Sequence, residues 1–220
     1  MLRFDPGWVV DNLDLIGGLL LEHLYLTFLA VGIGLVLSFA LALLIRRSPA
    51  FYGPVLGVTG TLYAIPSLAL FALLTPVTGI GTVLTAEIAL VGYTLLILVR
   101  NIVEGLRGVP DDAIEAANGM GLTPTQRLMR VEMPLALPVI MAGIRIATVT
   151  TIGLVTVTAL TGLGGVGYLI VTIGINRGSF GSTQTITGVV LAVGLAVIAD
   201  TSLQALQRRL TPWARRRATA

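Results

Sequence analysis

The sequence predicts an all-α integral membrane protein with five transmembrane helices. Of its 220 residues, 55% are hydrophobic and 11% are charged, and the mean hydropathy is +0.93. These values lie far outside the range of ordinary soluble domains. The chain also has five apolar runs of about 20 residues, the length that an α-helix needs to cross a hydrocarbon core of about 30 Å. The runs are continuous in Leu, Val, Ile and Ala rather than alternating, so helices are favoured over a membrane β-barrel.

Each apolar run marks one predicted span. The spans are expected near residues 20–45, 54–75, 84–103, 135–160 and 185–206. They form one membrane domain over residues 20–206, between an extracytoplasmic N-terminal segment (1–19) and a basic cytoplasmic tail (207–220). The N-terminal segment lacks a basic n-region and carries three aspartates, so it does not read as a cleavable signal peptide.

The arginines predict the orientation of the spans. If the first span runs from outside to inside, the cytoplasmic side receives most of them: Arg46, Arg47, Arg100, Arg107, Arg127, Arg130, Arg208, Arg209, Arg215, Arg216 and Arg217. Only Arg3 and Arg177 fall outside, and Arg145 lies within the fourth span. Positively charged loops stay in the cytoplasm, so we expect the N-terminus outside and the C-terminus inside. This distribution explains the isoelectric point near 9.8 without a nucleic-acid partner.

Several classes of function are disfavoured by what the sequence lacks. There is no cysteine, which excludes thiolate metal sites and disulfides. No nucleophile motif or convergent set of His and carboxylates indicates an enzyme. A secondary transporter or channel is the rival class, but midplane ionisable groups and internal repeats are not evident. The chain also has no phosphate-binding loop and no lysine with which to build one, so ATP would act through a separate subunit.

The longest predicted cytoplasmic segment, residues 104–134, is polar and interrupted by Gly and Pro. Pro110 suits the first turn of a short helix through Ala117, which Gly119 and Gly121 would end. Thr123, Pro124 and Gln126 then form a capping box at the start of a second helix that leads into the fourth span. The small residues of this helix–turn–helix permit close approach of a partner protein. An amphipathic helix lying on the membrane surface is the alternative.

The same segment resembles the EAA loop of the permeases of ABC importers, in the form EAA-x3-G-x9-I-x-LP. The matching residues are Glu115, Ala116, Ala117, Gly121, Val131, Met133 and Pro134, with Val131 in place of Ile and Met133 in place of Leu. The resemblance implies the type I importer permease fold and a loop that docks in a groove of an ATPase subunit. It also implies that the chain itself holds no cofactor, and that ATP and Mg are bound by the ATPase.

Other stretches resemble the osmoprotectant branch of these permeases, which serves glycine betaine, choline, carnitine or proline. They are "YAIPSLALFALLTPVTGIG" (63–81), "LILVRNIVEGLRGV" (96–109), "LPVIMAGIRIATVTTIG" (137–153) and "LTGLGGVGYLIVTIGINRG" (160–178). The likeness covers most of residues 20–210. It implies an extracytoplasmic substrate-binding protein, a second permease chain in a homodimer or heterodimer, and a place in the cytoplasmic membrane of a bacterium or archaeon. Tyr63, Phe71, Tyr93 and Tyr168 form no cluster in the sequence that would predict an aromatic cage for the substrate.

Five residues are candidates for the transport path or its gate. Pro66 lies near the middle of the second span, where it would kink the helix either for packing or to open a path. Thr148, Thr151, Thr158 and Gly162 share one stripe of the fourth span, which predicts a hydroxyl-lined wall or hydroxyls bonded to their own helix. Gly162, Gly164 and Gly167 match G-x-G-x-x-G, but no βαβ unit surrounds them, so an external loop is expected instead of a dinucleotide site.

Charged residues within the spans complete the candidates. Arg145 needs a partner or a shallow position, and Asp200 near the inner end of the fifth span is the proposed partner. Separate snorkelling of the two side chains is the alternative. Glu22 and Glu87 lie near the outer ends of spans and are expected to be solvated, and His23 alone indicates neither a metal site nor a proton relay.

Overall fold

A computed structural model describes residues 4–213, and no β-strand occurs within them. The α-helices are α1 (Pro6–Asp11), α2 (Leu13–Arg47), α3 (Tyr52–Ala64), α4 (Ser67–Thr78), α5 (Val83–Arg107), α6 (Asp111–Gly119), α7 (Pro124–Arg127), α8 (Met133–Thr158) and α9 (Ser182–Leu210). A π-helical turn (Leu128–Glu132) joins α7 to α8, so Pro124–Thr161 is helical without a break. A second π-helical segment, Leu169–Gly174, lies between α8 and α9.

Four helical stretches are long and apolar enough to cross a membrane: Leu13–Arg47, Val83–Arg107, Pro124–Thr161 and Ser182–Leu210. A fifth span is obtained if Pro49–Ala64 and Ser67–Thr78 are counted together, although the two are bent by 96°. The order of the spans along the chain is the predicted one. The predicted all-α membrane fold is therefore confirmed.

Pro66 breaks the helix of the second span completely, whereas the sequence predicted only a kink. Ile65 takes an extended conformation (φ −66°, ψ 127°), and Pro66 follows it with ψ 134°. Proline clashes with a helical conformation of the residue before it and has no N–H to donate, so α3 stops and α4 starts anew. The result is two short helices at a steep angle rather than one bent helix.

The helices are also longer than the apolar runs. Leu13–Arg47 begins seven residues before the span expected at 20, and the helix of the fourth span begins at Pro124 instead of 135. Hydropathy marks only the stretch that suits the hydrocarbon core, whereas helical hydrogen bonding continues into the polar boundary. The polar loop between the third and fourth spans is consequently built largely from helix.

Small residues bring α2 and α8 close to α5, the central helix of the bundle. A Cβ added to Gly34 of α2 would lie 1.9 Å from Oγ1 of Thr94, and one added to Gly143 of α8 would lie 2.4 Å from Cβ of Asn101. Gly105 of α5 similarly contacts Ala136. Because helices in lipid associate through close packing rather than through apolar burial alone, these glycines allow α5 to sit between its neighbours.

The bundle has two ends that the functional residues occupy. We call the end with α6, α7 and the π-helical turn the loop end. We call the other end, where the turn 79–82 meets residues 159–168, the glycine-rich end. α2 and α5 run from the glycine-rich end to the loop end, and α8 runs back.

Candidate coupling loop and transport path

We call α6 and α7 the coupling helices, after the role that the EAA resemblance implies for them, and backbone geometry fixes the turn between them. Gly121 has a φ of 72°, its N–H donates to the carbonyl of Asn118 at 2.9 Å, and the N–H of Leu122 donates to Ala117 at 3.2 Å. Thr123 and Gln126 then form the expected reciprocal capping box at the start of α7. Pro110 precedes the helix as its cap instead of occupying the first turn, because it is in an extended conformation.

The EAA residues divide into an exposed edge and a packed base. Glu115, Ala116 and Gly121 are exposed, while Ala117 is fully buried. Val131 lies in the π-helical turn, and Met133 and Pro134 start α8, all three partly buried. Met120 and Met129 beside them leave 71% and 63% of their surface exposed. The coupling helices therefore present small and apolar side chains outward, which suits contact with another surface.

Glu132 is a functional candidate that sequence reasoning missed. Its buried carboxylate accepts from Nε and Nη2 of Arg46 at 3.1 and 2.8 Å, and from Nε of Arg127 at 2.8 Å. Arg127 also donates through Nη1 to Oδ1 of Asn118 at 2.8 Å. Glu132 occupies the variable position between Val131 and Met133, so the EAA motif did not mark it as a candidate. An acidic side chain among apolar residues at the start of a span was the available signal.

Tyr63 and Tyr93 meet beside the break at Pro66, a pairing that their positions in the sequence did not reveal. Their ring centroids are 5.8 Å apart with an interplanar angle of 70°. The Tyr93 hydroxyl donates to the carbonyl of Ile65, which the break leaves without a helical partner. Tyr93 is buried, whereas Tyr63 is 41% exposed. The broken backbone thus carries an accessible aromatic face.

The threonine stripe of α8 does not form a hydroxyl-lined wall. Thr148, Thr151 and Thr158 are all buried inside the chain. Their hydroxyls donate to the carbonyls of Ile144, Ala147 and Val155, each at 2.8 Å. These bonds stay within α8, as is common for threonine in apolar helices, so the stripe belongs to the core of this conformation.

Gly162 lies at the glycine-rich end and contacts the turn before α5. It has a φ of 88° and lies opposite Gly81, whose φ is 67°. A Cβ on Gly81 would lie 3.2 Å from the Gly162 carbonyl oxygen. Two left-handed glycines therefore meet where the connection between α4 and α5 touches the end of α8.

Glu22 and His23 bind the glycine-rich loop, and the expectation that Glu22 is solvated was wrong. The Glu22 carboxylate accepts the N–H groups of Gly164 and Gly165 at 3.2 and 3.0 Å. Nδ1 of His23 accepts the N–H of Val166 at 3.2 Å, so Nε2 carries the proton that reaches the Ile152 carbonyl at 3.1 Å. The glycine-rich stretch therefore supplies the backbone N–H groups that Glu22 and His23 bind. Residues 4–213 contain no set of three or more His, Cys, Asp or Glu that could hold a metal.

Glu87 is also not solvated. It is 6% exposed within α5, and neither carboxylate oxygen has a hydrogen-bond partner among the described residues. Its position on the face of α5 that packs inside the chain, rather than its depth along the span, explains the difference. Helix ends predict depth but do not predict which face points inward.

Arg145 and Asp200 lie together between α8 and α9, at the middle of α8. Nε and Nη2 of Arg145 donate to Oδ1 and Oδ2 of Asp200, both at 2.9 Å. Gln207 adds a contact to Nη1 of Arg145 at 3.5 Å and donates to the carbonyl of Pro138 at 3.1 Å. The pair lines a groove of about 520 Å³ and keeps 23% and 38% of its side-chain surfaces exposed. The two parallel bonds join successive α-helices through residues 55 positions apart.

Exchanging these two charges tests how much the pair stabilises the packing of α8 on α9. Arg145→Asp and Asp200→Arg should each lower the free energy of unfolding by about 1 to 3 kcal/mol, less than for a fully buried pair because both groups are partly solvated. The double exchange should recover part of that loss. The measurement is the denaturation midpoint of the detergent-solubilised chain, and a double variant as unstable as the sum of the two single variants would contradict it.

The fold and the loop geometry define a helical membrane component with an exposed helix–turn–helix at one end. Residues 30–212 match the family described as the binding-protein-dependent transport system inner membrane component. The chain belongs to this family. It is a multi-pass protein of the inner membrane and a transport permease subunit.

Similar proteins with known roles are transport permeases. The osmoprotectant import permease protein OsmW of Salmonella typhimurium is 40% identical over 212 residues, which cover 93% of this chain and 96% of the relative. The choline transport system permease protein OpuBB of Bacillus subtilis is 36% identical, covering 93% and 94%. The glycine betaine/carnitine/choline transport system permease protein OpuCB of the same organism is 37% identical, covering 87% and 86%.

Solved structures support the same fold. An inward-facing structure of the MetNI methionine ABC transporter contains a chain that matches with a TM-score of 0.79 at 25% identity, covering 91% of this chain and 98% of that one. An amino acid ABC transporter matches with a TM-score of 0.78 at 19% identity, covering 94% and 99%. The predicted type I importer permease fold is confirmed by these likenesses.

Proposed function

We propose that this chain is the permease subunit of an ATP-driven importer for osmoprotectants of the glycine betaine, choline, carnitine and proline class. The observation that carries the proposal is the full-length similarity to the osmoprotectant and choline permeases named above. The segments 63–81, 96–109, 137–153 and 160–178 support the same substrate class. Methionine or another amino acid is the alternative that the structural likeness to MetNI favours.

The proposed mechanism is alternating access driven by a separate ATPase that binds ATP and Mg. A loaded binding protein docks outside, at the glycine-rich end, and the ATPase docks inside, at the loop end, through Glu115, Ala116 and Gly121. The exposed Met120 and Met129 support docking over a loop buried in lipid headgroups. The arginines support the orientation with the C-terminus in the cytoplasm. Differential contacts of the loops with the two nucleotide states of the ATPase would supply the coupling free energy.

A second permease chain would complete the path, either as a homodimer or as a heterodimer. Five spans enclose little space alone. The exposure of α9 supports a partly open bundle, since only 11% of its most apolar 18-residue stretch is buried. Val131, Met133 and Pro134 would transmit loop motion into α8. Pro66 and Gly162 remain candidates for the path or its gate, because both lie where the backbone departs from helix.

Transport of labelled solutes tests this function directly. The chain, its genomic neighbours encoding the ATPase, second permease and binding protein, and ATP are placed in vesicles, and uptake of glycine betaine, choline, carnitine, proline and methionine is followed. ATP-dependent uptake of at least one of the first four is expected. Uptake of methionine alone would contradict the substrate class and leave the importer assignment standing.

Tyr63 supports a contact with a quaternary ammonium group along the path. Its exposed ring face beside the break offers cation–π attraction, which contributes about 0.5 to 1 kcal/mol at exposed sites. We expect Tyr63→Leu to lower choline uptake by about two- to fivefold, the factor that this energy corresponds to. Tyr63→Phe keeps the ring and is the matched control. Equal uptake by the Leu and Phe variants would contradict the role of the ring.

A further inference from the structure

The loop end contains an ionic cluster whose members are not among the EAA residues named above. We define the Glu132 cluster as Arg46, Glu132, Arg127 and Asn118. Glu132 keeps only 6% of its side-chain surface exposed, while Arg46 and Arg127 keep 30% and 24%. A buried carboxylate needs paired charges, and here two guanidinium groups share it. The cluster therefore depends on Glu132 more than on either arginine.

The cluster joins parts of the chain that are not neighbours in sequence. Asn118 lies in α6, Arg127 in α7, Glu132 at the end of the π-helical turn, and Arg46 in the last turn of α2. The coupling helices are covalently attached to α5 and α8. Through Glu132 they are also held to the first span, 86 residues away in sequence.

Beyond Arg46 the chain leads at once to the broken second span. Ser48 ends α2, and the 3₁₀ turn Pro49–Phe51 starts the segment that Pro66 interrupts. A cavity of about 210 Å³ lies beside the pair, and Pro49, Arg46, Glu132 and Arg107 line it. Arg107 currently stacks on Tyr52, with its guanidinium carbon 4.1 Å from the ring centroid. The Arg46–Glu132 ion pair therefore borders an open cavity and a further cation, Arg107.

From this arrangement we infer that Glu132 is a positioning residue that transmits displacement of the coupling helices to the first span and to the start of the broken span. The π-helical turn that ends at Glu132 is the place where the helix departs from regular α geometry, and such turns occur often at functional positions. Arg127 lies in α7 and donates to Asn118 of α6, so it holds the two coupling helices together. Arg46 bonds to Glu132, so it would be displaced when Glu132 moves with those helices. The inference rests on the proposed function, because transmission has meaning only if an ATPase acts on the loop.

The test compares uptake with ATP hydrolysis in the complete complex in vesicles. Glu132→Gln keeps the shape of the side chain but cannot neutralise two guanidinium groups. We expect the complex to assemble and to hydrolyse ATP, while solute uptake per ATP falls about fivefold or more, the lower end of typical coupling effects. Arg47→Gln is the control: Arg47 is the exposed neighbour of Arg46 in the last turn of α2 and lies outside the Glu132 cluster. It should leave uptake per ATP unchanged.

Arg46→Lys provides a second variant if Glu132→Gln does not accumulate in the membrane, since it keeps the charge and loses the paired bonds; uptake per ATP should fall in the same direction. The double variant Arg46→Gln with Glu132→Gln should have the same uptake per ATP as Glu132→Gln alone, because each substitution removes the same Arg46–Glu132 interaction. Parallel loss of uptake and hydrolysis, or additive effects in the double variant, would overturn the inference. A wild-type complex without ATP-driven uptake would instead overturn the proposed function, and the inference with it.

Discussion

Gly121→Val is expected to reduce ATP-driven uptake by about tenfold or more while the chain still inserts and accumulates in the membrane. Gly121 has a φ of 72°, a conformation that costs a residue with a Cβ about 1 to 2 kcal/mol and a β-branched residue more. Each 1.4 kcal/mol corresponds to about a tenfold change in an equilibrium such as docking. A Cβ added at Gly121 meets no other atom within 4 Å, so the effect would arise from the backbone of the turn and not from the core.

Gly121→Asn separates these causes. Asn tolerates the left-handed conformation, so this variant should keep most of the uptake although its side chain is as large as that of Val. The measurements are uptake in vesicles and co-purification of the ATPase. Full transport by a normally assembled Val variant would argue strongly against the coupling role of the turn.

Gly167→Ala should destabilise the folded chain severely, by about 1 to 3 kcal/mol or more. A Cβ at this position would lie 2.1 Å from the carbonyl oxygen of Thr156, and a backbone atom cannot rotate away as a side chain can. The measurement is the midpoint of thermal unfolding of the detergent-solubilised chain, followed by loss of the monodisperse fraction.

Two other glycines complete the series. At Gly164 the added Cβ would meet the Glu22 carboxylate at 2.0 Å, and that side chain can shift at the expense of its two hydrogen bonds, so an intermediate loss is expected. Gly153, an exposed residue of α8 with nothing within 4 Å, is the control and should be neutral or slightly stabilising as Ala. An equal midpoint for the Gly167 and Gly153 variants would show that the loop does not pack against α8 as described.

The sequence was informative where one local signal decides the outcome. Apolar length predicted the spans, the capping box at Thr123 and Gln126 was found in the structure, and the spacing from Glu115 to Pro134 indicated the family. Arg145 and Asp200 could be proposed as partners because two charges in apolar helices need compensation. Each of these features depends on a few residues or on a fixed spacing along the chain, and both can be recognised in a sequence.

The sequence was less informative where the outcome depends on which face of a helix is covered. Thr148 was a candidate for the wall of a path and Glu87 was expected to be solvated, but both are buried because neighbouring helices pack on those faces. The ties from Glu22 to the glycine-rich loop and from Glu132 to Arg46 connect residues more than 80 positions apart. Periodicity along one helix carries no information about such distant partners.

The π-helical turn at 128–132 also sets a direction in space. It holds about one residue more than an α-helical turn, so its residues each rotate the chain by less than the about 100° of an α-helix. The extra residue is therefore absorbed within one wide turn, and the azimuth at which α6 and α7 leave the fourth span is kept. Deleting one residue there would restore a regular helix at nearly the same azimuth, whereas deleting one residue from the regular part of α8 would swing the helix–turn–helix by about 100° around the span.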